Sequence, residues 1–181
     1  MLAVSRVVAM QSLPEYQGCG NPGRVVNRWF DLSWEALMLV AILDDDISRR
    51  TAMERGLKQV LPEASIELFD NAPDMIAWLA RHIDVVGLAS LAHDLGPSRF
   101  RDGMLFDPGT GRDVTDFLVE MDRPFPVVVH TPKSSEGKRM VTMLEHVGWP
   151  CVRLEPTNDP EWIGNEWAPR VVDLLSGSDS S

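Results

Sequence analysis

The chain has 181 residues, of which 44% are hydrophobic and 24% charged, a composition typical of one globular domain with a core. Its formal net charge of -10 argues against non-specific binding to duplex DNA, because such binding depends on Lys and Arg. The sequence has no apolar run as long as the roughly 18 residues of a membrane span. Cys19 and Cys151 are too few for a disulfide framework or a cysteine zinc site. We therefore expect a cytoplasmic protein without a membrane partner.

The two ends of the chain differ from its middle. Residues 1–36 are rich in Gly and Pro without a sustained period, which predicts an irregular extension. Met38 directly precedes LVAILDDD, so an alternative is that translation starts there and the extension is not made. The ending SGSDSS, residues 176–181, predicts a disordered tail. The folded domain is accordingly predicted over residues 37–175.

Between these ends, short apolar runs alternate with helical patterns. The first run, LMLVAIL, ends in acids, as expected for a buried parallel strand, and Ser48 is the predicted N-cap of the helix after it. The predicted elements are strand 37–43, helix 48–62, strand 64–70, helix 72–83, strand 83–94, a loop at about 96–111, helix 112–121, strand 124–131, helix 134–148, strand 150–156 and helix 161–175 with a break near Pro169. This alternation predicts a flavodoxin-like α/β three-layer sandwich with a five-stranded parallel sheet of order 2-1-3-4-5.

Polar side chains end three strands that are neighbours in this order. They are Asp44, Asp45 and Asp46 after the first strand, His93 and Asp94 after the third, and His130 and Thr131 after the fourth. Several carboxylates in one crevice stay ionised only with a compensating cation, and Mg²⁺ or Mn²⁺ prefers oxygen ligands. We predict a divalent ion held directly by Asp45 and Asp94, with Asp44 binding directly or through water.

The remaining side chains of this sheet edge suit phosphate chemistry. His93 and His130 are predicted to donate and accept protons near neutral pH, and Thr131 to donate a hydrogen bond to a phosphoryl oxygen. Arg112 opens the third helix and Lys133 precedes the fourth. Both are candidates for phosphate binding, although a solvated surface charge is the plainer interpretation of each.

The stretch VAILDDDISRR and the helix after it resemble response-regulator receiver domains. The resemblance implies that Asp44 and Asp45 bind Mg²⁺, that Asp94 occupies the phosphoacceptor position, and that Thr131 matches the receiver hydroxyl residue. Receivers also carry a Lys, usually followed by Pro, after the fifth strand. Here that place reads RLEPTND, which argues against phosphoacceptor switching.

A divergent branch, the cyclic-phosphate-processing receiver-like domains, is more similar. LDDD, HDLG, GRDVTDFL, VVVHT and GKRMVTMLEHVGW occur in the order of that branch, and the resemblance covers about residues 39–175. It implies metal-dependent processing, by hydrolysis, of cyclic phosphate ends such as 2′,3′-cyclic phosphates. The expected partner is then a phosphorylated small molecule or an RNA end, and the reactive residues are His93, His130 and Asp94.

Two alternatives remain at this point. LDDDIS also resembles the start of haloacid-dehalogenase-like phosphatases, with Asp44 as nucleophile, Asp46 as acid and VVVHT as their second motif. The other alternative is a non-catalytic degenerate receiver that acts as a binding or regulatory module, which the missing Lys favours. The two added histidines favour an enzyme.

Overall fold

The computed structural model describes residues 38–157 and 159–176, so the predictions for residues 1–36 and for the last five residues lie outside the described chain. Five parallel strands form one sheet of order β2-β1-β3-β6-β7, and a hairpin β4-β5 stands apart from it. This is the predicted 2-1-3-4-5 order when the hairpin is left out of the count. The strands are β1 (Leu39–Leu43), β2 (Ser65–Phe69), β3 (Val86–Leu91), β4 (Arg99–Arg101), β5 (Met104–Phe106), β6 (Val127–His130) and β7 (Cys151–Leu154).

Helices cover both faces of the sheet because its central strands are apolar on both sides. In β1, Val40 and Ile42 pack into one core cluster with Trp167, while Ala41 and Leu43 pack into the opposite cluster. The helices are α1 (Ile47–Val60), α2 (Ala72–His82), α3 (Gly111–Leu118), α4 (Ser134–His146) and α5 (Ala168–Ser176). The sheet is therefore packed on both faces, and the side chains at the carboxyl ends of its strands project from this packed core.

Helix α1 begins earlier than the sequence predicts. Its N-cap is Asp46, whose carboxylate accepts hydrogen bonds from the backbone nitrogens of Ser48 at 2.7 Å and Arg49 at 3.1 Å. The prediction of Ser48 as the cap is therefore wrong, because an Asp side chain two residues upstream already satisfies the free N–H groups of the first turn. As a consequence, Arg49 lies in the first turn of α1, close to the end of β1.

The segment predicted as a loop at about 96–111 contains the antiparallel hairpin β4-β5. Asp102 and Gly103 form its turn with φ of 52° and 78°, and positive φ at both central residues is the requirement that favours Asp-Gly in two-residue hairpins. Arg99 anchors the hairpin to Asp70 at 2.7 Å. Phe100 is 80% exposed, so the hairpin projects from the sheet edge near the third strand.

The last helical segment is continuous through Pro169, contrary to the break expected there. The irregularity lies before the proline, where Ile163–Trp167 forms a π-helical turn that leads into α5. Trp167 in this turn is fully buried. No helix in the described part of the chain is long and apolar enough to cross a membrane.

Candidate functional site

A cleft of about 280 Å³ lies at the carboxyl ends of β1, β3 and β6. Parallel strands place their carboxyl ends at one edge of the sheet, which is where ligands of such folds bind. The cleft contains six residues singled out from the sequence and adds Arg49, which the sequence reasoning did not consider. The six are Asp44, Asp45, His93, Asp94, His130 and Thr131.

Asp44 lies at the bottom of the cleft and is fully buried. Arg49 donates to it through Nε, at 2.9 Å to Oδ2, and through Nη2, at 2.9 Å to Oδ1. The backbone nitrogen of Asp46 donates to Oδ1 at 2.8 Å. Burial alone raises the pKa of Asp44, but hydrogen bonds from His130 and Arg49 outweigh it and lower the pKa to about 2. Asp44 is therefore a buried, ionised carboxylate with a full set of donors.

His130 joins Asp44 to the core through a chain of hydrogen bonds. Trp167 Nε1 donates to Ser90 Oγ at 2.8 Å, and Ser90 Oγ lies 3.0 Å from His130 Nδ1. His130 Nε2 lies 3.2 Å from Asp44 Oδ2. Because Asp44 only accepts, Nε2 donates to it, and in the neutral ring Nδ1 then accepts from the Ser90 hydroxyl. Both ring nitrogens are thus engaged, and the His130 side chain is 1% exposed.

The outer side of the cleft is half-exposed and is held by one ion pair. Lys133 Nζ lies 2.6 Å from Asp94 Oδ1, with side-chain exposures of 55% and 50%. Lys133 comes from the connection between β6 and α4, not from the end of β7, where Glu155 and Pro156 stand. An ammonium group therefore reaches Asp94 from a different strand end than the receiver Lys would. Thr131 Oγ1 accepts from the Lys133 nitrogen at 3.2 Å and helps to set this connection.

His93 is the histidine with spare hydrogen-bonding capacity. It is 9% exposed, and its Nδ1 is buried without a partner among the residues that the structure describes. Hydrogen bonds fix its backbone: the His93 carbonyl accepts from the Gly111 nitrogen at 3.0 Å, and the next residue, Asp94, forms an antiparallel β-bridge with Thr110. Gly111 is required here, because a Cβ at that position would lie 2.0 Å from the Ala92 carbonyl oxygen.

Arg112 does not join the cleft, although the sequence suggested it as a phosphate-binding residue. It lies 3.6 Å from Asp116 on its own helix and lines a separate cleft of about 450 Å³ with Lys138 and Arg139. The physical reason is its helical position: Arg112 lies on the side of α3 that meets α4, while the neighbouring backbone at Gly111 contacts the site.

The predicted divalent-metal site does not fit the arrangement of the carboxylates. Their oxygens suit Mg²⁺ or Mn²⁺ chemically, but Arg49 bridges Asp44 and Asp45, and Lys133 holds Asp94. Within residues 38–157 and 159–176, no three His, Cys, Asp or Glu side chains are grouped to hold a metal ion. The metal site with Asp44, Asp45 and Asp94 as ligands therefore stays a prediction, and in this arrangement two side-chain cations pair with those carboxylates.

The geometry also disfavours the haloacid-dehalogenase-like alternative. A nucleophilic aspartate must reach its substrate, whereas Asp44 is fully buried and its oxygens accept from Arg49, His130 and a backbone nitrogen. Asp46, the proposed acid, instead caps α1.

Comparison with known proteins agrees with this fold. A family model described as the cyclic-phosphate processing receiver domain matches residues 40–146. The phosphorylated cyanobacterial phytochrome response regulator RcpA superposes with a TM-score of 0.61 at 12% identity, covering 78% of this chain and 96% of that chain. The CheX-CheY-BeF₃-Mg complex from Borrelia burgdorferi gives 0.55 at 11% identity, with 80% and 90% covered. No match was found among curated proteins.

A third structure is of a receiver that holds Mn²⁺. The Mn²⁺-bound form of the response regulator Rcp1 superposes with a TM-score of 0.54 at 13% identity, covering 80% of this chain and 97% of that chain. Receiver structures with Mg²⁺ and with Mn²⁺ thus share this fold. At these identities the likeness establishes the fold alone.

Proposed function

The chain belongs to the family of cyclic-phosphate processing receiver domains, and we propose that it hydrolyses cyclic phosphate ends of nucleotides or RNA in the cleft at the carboxyl ends of β1, β3 and β6. The observation that supports this most directly is the state of His93. It lines the cleft, and its ring makes no side-chain hydrogen bond within the described part of the chain: Nδ1 is buried without a partner, which leaves Nε2 as the nitrogen for a substrate water. Lys133 and Arg49, both in or beside the same cleft, supply positive charge for a phosphate anion.

His93 is the proposed general base. It takes a proton from a water molecule whose oxygen attacks phosphorus, so that a new P–O bond forms as one P–O bond of the ring breaks. The departing ribose oxygen takes a proton from solvent water at the exposed side of the cleft. The product is a phosphomonoester beside a free hydroxyl, and His93 then returns its proton to solvent. Lys133 and Thr131 bind the non-bridging phosphoryl oxygens, on which negative charge increases during the attack.

His130 has a positioning role in this scheme, which differs from the proton transfer predicted from the sequence. Its two nitrogens are engaged by Ser90 and Asp44, so it has no free nitrogen for the substrate. It orients the Asp44 carboxylate, and that carboxylate in turn holds Arg49 at the cleft. No step is routed through the Mg²⁺ or Mn²⁺ predicted from the sequence, because Arg49 and Lys133 occupy its carboxylate ligands.

The test is hydrolysis of 2′,3′-cyclic nucleotides and of oligonucleotides that end in a cyclic phosphate. His93→Asn is expected to lower kcat by a factor of about 100 or more, the usual size of a general-base contribution. His146→Asn is the matched control, since His146 is an exposed histidine at the end of α4 and its loss should leave kcat unchanged. Turnover that survives in His93→Asn would contradict the proposed role of His93.

A non-catalytic binding module is the second candidate. The observation that favours it is that each acid of the cleft already has a basic partner, Arg49 for Asp44 and Asp45 and Lys133 for Asp94, which is a stable arrangement without turnover. Binding of a cyclic nucleotide by wild-type protein, measured calorimetrically, with no phosphomonoester formed over hours would favour this candidate over the enzyme.

A further inference from the structure

We propose that Arg49 is the resident cation of this cleft: its guanidinium takes the place that receivers give to a divalent ion, so the protein binds no Mg²⁺ there and its cleft functions without one. The inference concerns the same cleft as the proposed function, but its main test is metal binding, so an absence of turnover does not decide it.

The first support is the reach of a single side chain over three consecutive carboxylates. Arg49 Nη2 lies 2.9 Å from Asp44 Oδ1 and 3.1 Å from Asp45 Oδ1, and Arg49 Nη1 lies 3.7 Å from Asp46 Oδ2. A planar guanidinium with five N–H groups is suited to such bridging. The group thus lies between Asp44 and Asp45, the two acids to which the receiver resemblance assigns Mg²⁺.

The second support is the saturation of Asp44. Its Oδ1 accepts from the Asp46 nitrogen and from Arg49 Nη2, and its Oδ2 accepts from Arg49 Nε and His130 Nε2. Mg²⁺ gives up its water ligands reluctantly and demands near-octahedral oxygen geometry. To bind here it would have to displace a forked, charge-assisted pair from a fully buried carboxylate,.

The third support is that the backbone places Arg49 in advance. Asp46 caps α1 through the backbone nitrogens of Ser48 and Arg49, so the first turn of the helix is tied to the end of β1. The next arginine, Arg50, is also held there, since its Nη1 donates to the Asp44 carbonyl oxygen. Arg49 is therefore held beside the acids by local structure, with little conformational freedom left to lose.

The arrangement also leaves part of the Arg49 guanidinium available to bind a substrate. Its side chain is 39% exposed and lines the cleft, and Nη1 makes only the 3.7 Å approach to Asp46 within the described chain. That end of the guanidinium has N–H groups to donate to a phosphoryl oxygen. A divalent ion in a phosphoryl-transfer site likewise stabilises the negative charge on such an oxygen.

Titration of wild-type protein with MgCl₂ tests the inference directly, by calorimetry and by tryptophan fluorescence, since Trp162 lies 6.0 Å from His130 between ring centroids. We expect no saturable binding at millimolar Mg²⁺ and no shift of Tm. Arg49→Gln is expected to bind Mg²⁺ at least about tenfold more tightly than wild type. Arg50→Gln is the matched control, because Arg50 touches a carbonyl and not the carboxylates, and it should behave as wild type.

Saturable one-to-one Mg²⁺ binding by wild-type protein that Asp45→Asn abolishes would overturn the inference, and this arm needs no Arg49 variant. If Arg49→Gln does not fold, Arg49→Lys replaces it, because a lysine keeps one charge but lacks the fork that spans Asp44 and Asp45. In the activity assay, equal turnover in EDTA and in Mg²⁺ is the supporting result, and turnover that requires Mg²⁺ overturns it. An absence of turnover would count against the proposed function alone.

Discussion

The two sides of the cleft hold their charges in opposite ways. On the inner side, Asp44 and His130 are buried, at 0% and 2% exposure, and are bonded through Ser90 to Trp167 in the core. On the outer side, Asp94 and its partner lysine are about half-exposed and share one short contact. Buried charges lose much of their interaction with water and need every partner, whereas exposed pairs exchange partners at little cost. The inner side is thus part of the fold, and the outer side is available to a ligand.

Among variants that distinguish the two sides of the cleft, Asp44→Ala should cause the largest loss of stability. Removing this buried carboxylate leaves Arg49 without its forked acceptor and His130 Nε2 without its partner. We expect the free energy of unfolding, measured with urea, to fall by about 3–5 kcal/mol. Asp45→Ala is the control, because Asp45 is 34% exposed, and it should cost less than about 1 kcal/mol. Equal losses in the two variants would remove the distinction.

The contribution of Asp44 to stability should also appear in the pH dependence of the free energy of unfolding. The pKa of Asp44 is lowered from 3.8 to about 2 in the folded protein, so its contribution to stability is fully present above about pH 5. That contribution, on the order of 2 kcal/mol, is lost as the pH falls through 3.8 towards 2,. The gap in unfolding free energy between wild type and Asp44→Asn should therefore narrow on acidification. A gap that stays constant would mean that Asp44 is not an ionised, stabilised carboxylate.

Ser90→Ala should have an intermediate effect. It removes the hydroxyl that bonds His130 Nδ1 and leaves the buried Trp167 N–H without its acceptor. An unsatisfied buried donor costs about 1–3 kcal/mol, which thermal or urea unfolding measures readily. Ser65→Ala on the edge strand β2, where the residue is exposed, should stay within about 0.5 kcal/mol of wild type. A neutral Ser90→Ala would show that the hydrogen-bond chain does not couple the site to the core.

The smallest change in stability is expected on the outer side. Lys133→Met breaks an exposed pair with Asp94 and should lower the free energy of unfolding by less than about 1 kcal/mol. Its effect should appear instead in a raised KM for a cyclic phosphate, since Lys133 is proposed to bind the phosphoryl oxygens. Lys138→Met, on the helix that follows Lys133, is the control, because Lys138 lines the separate cleft between α3 and α4. A large loss of stability in Lys133→Met would show that the ion pair on the outer side also stabilises the fold.

The fold was readable from the sequence because a parallel sheet buried on both faces requires continuous apolar strands. Runs such as LVAIL and VVVH became β1 and β6. The hairpin was missed although its signal was present. Asp102 and Gly103 stand between two short runs, but the surrounding glycines and prolines gave the segment the composition of a loop. The early start of α1, with Asp46 as its N-cap, was missed because Asp46 and Ser48, two residues apart, are both good N-caps.

The clustering at the cleft was predictable for a topological reason, because strand ends that are neighbours in the sheet bring their side chains together whatever else surrounds them. The hydrogen-bond and ion-pair partners of those side chains could not be predicted from the sequence. Lys133 and Asp94 are 39 residues apart, and Trp167 is 77 residues from Ser90. Such pairings depend on the angle at which each connection leaves the sheet, and local sequence patterns do not encode that angle.

The sequence by itself determined which strands lie side by side and which acids, histidines and hydroxyl meet at their ends, because apolar periodicity and parallel pairing act residue by residue along the chain. Only the tertiary structure decided what those groups do. It buried His130 between Ser90 and Asp44, left His93 Nδ1 without a partner in the described residues, and placed Arg49 over the acids. The physical reason is that protonation, charge balance and access to a ligand depend on distances and burial in three dimensions.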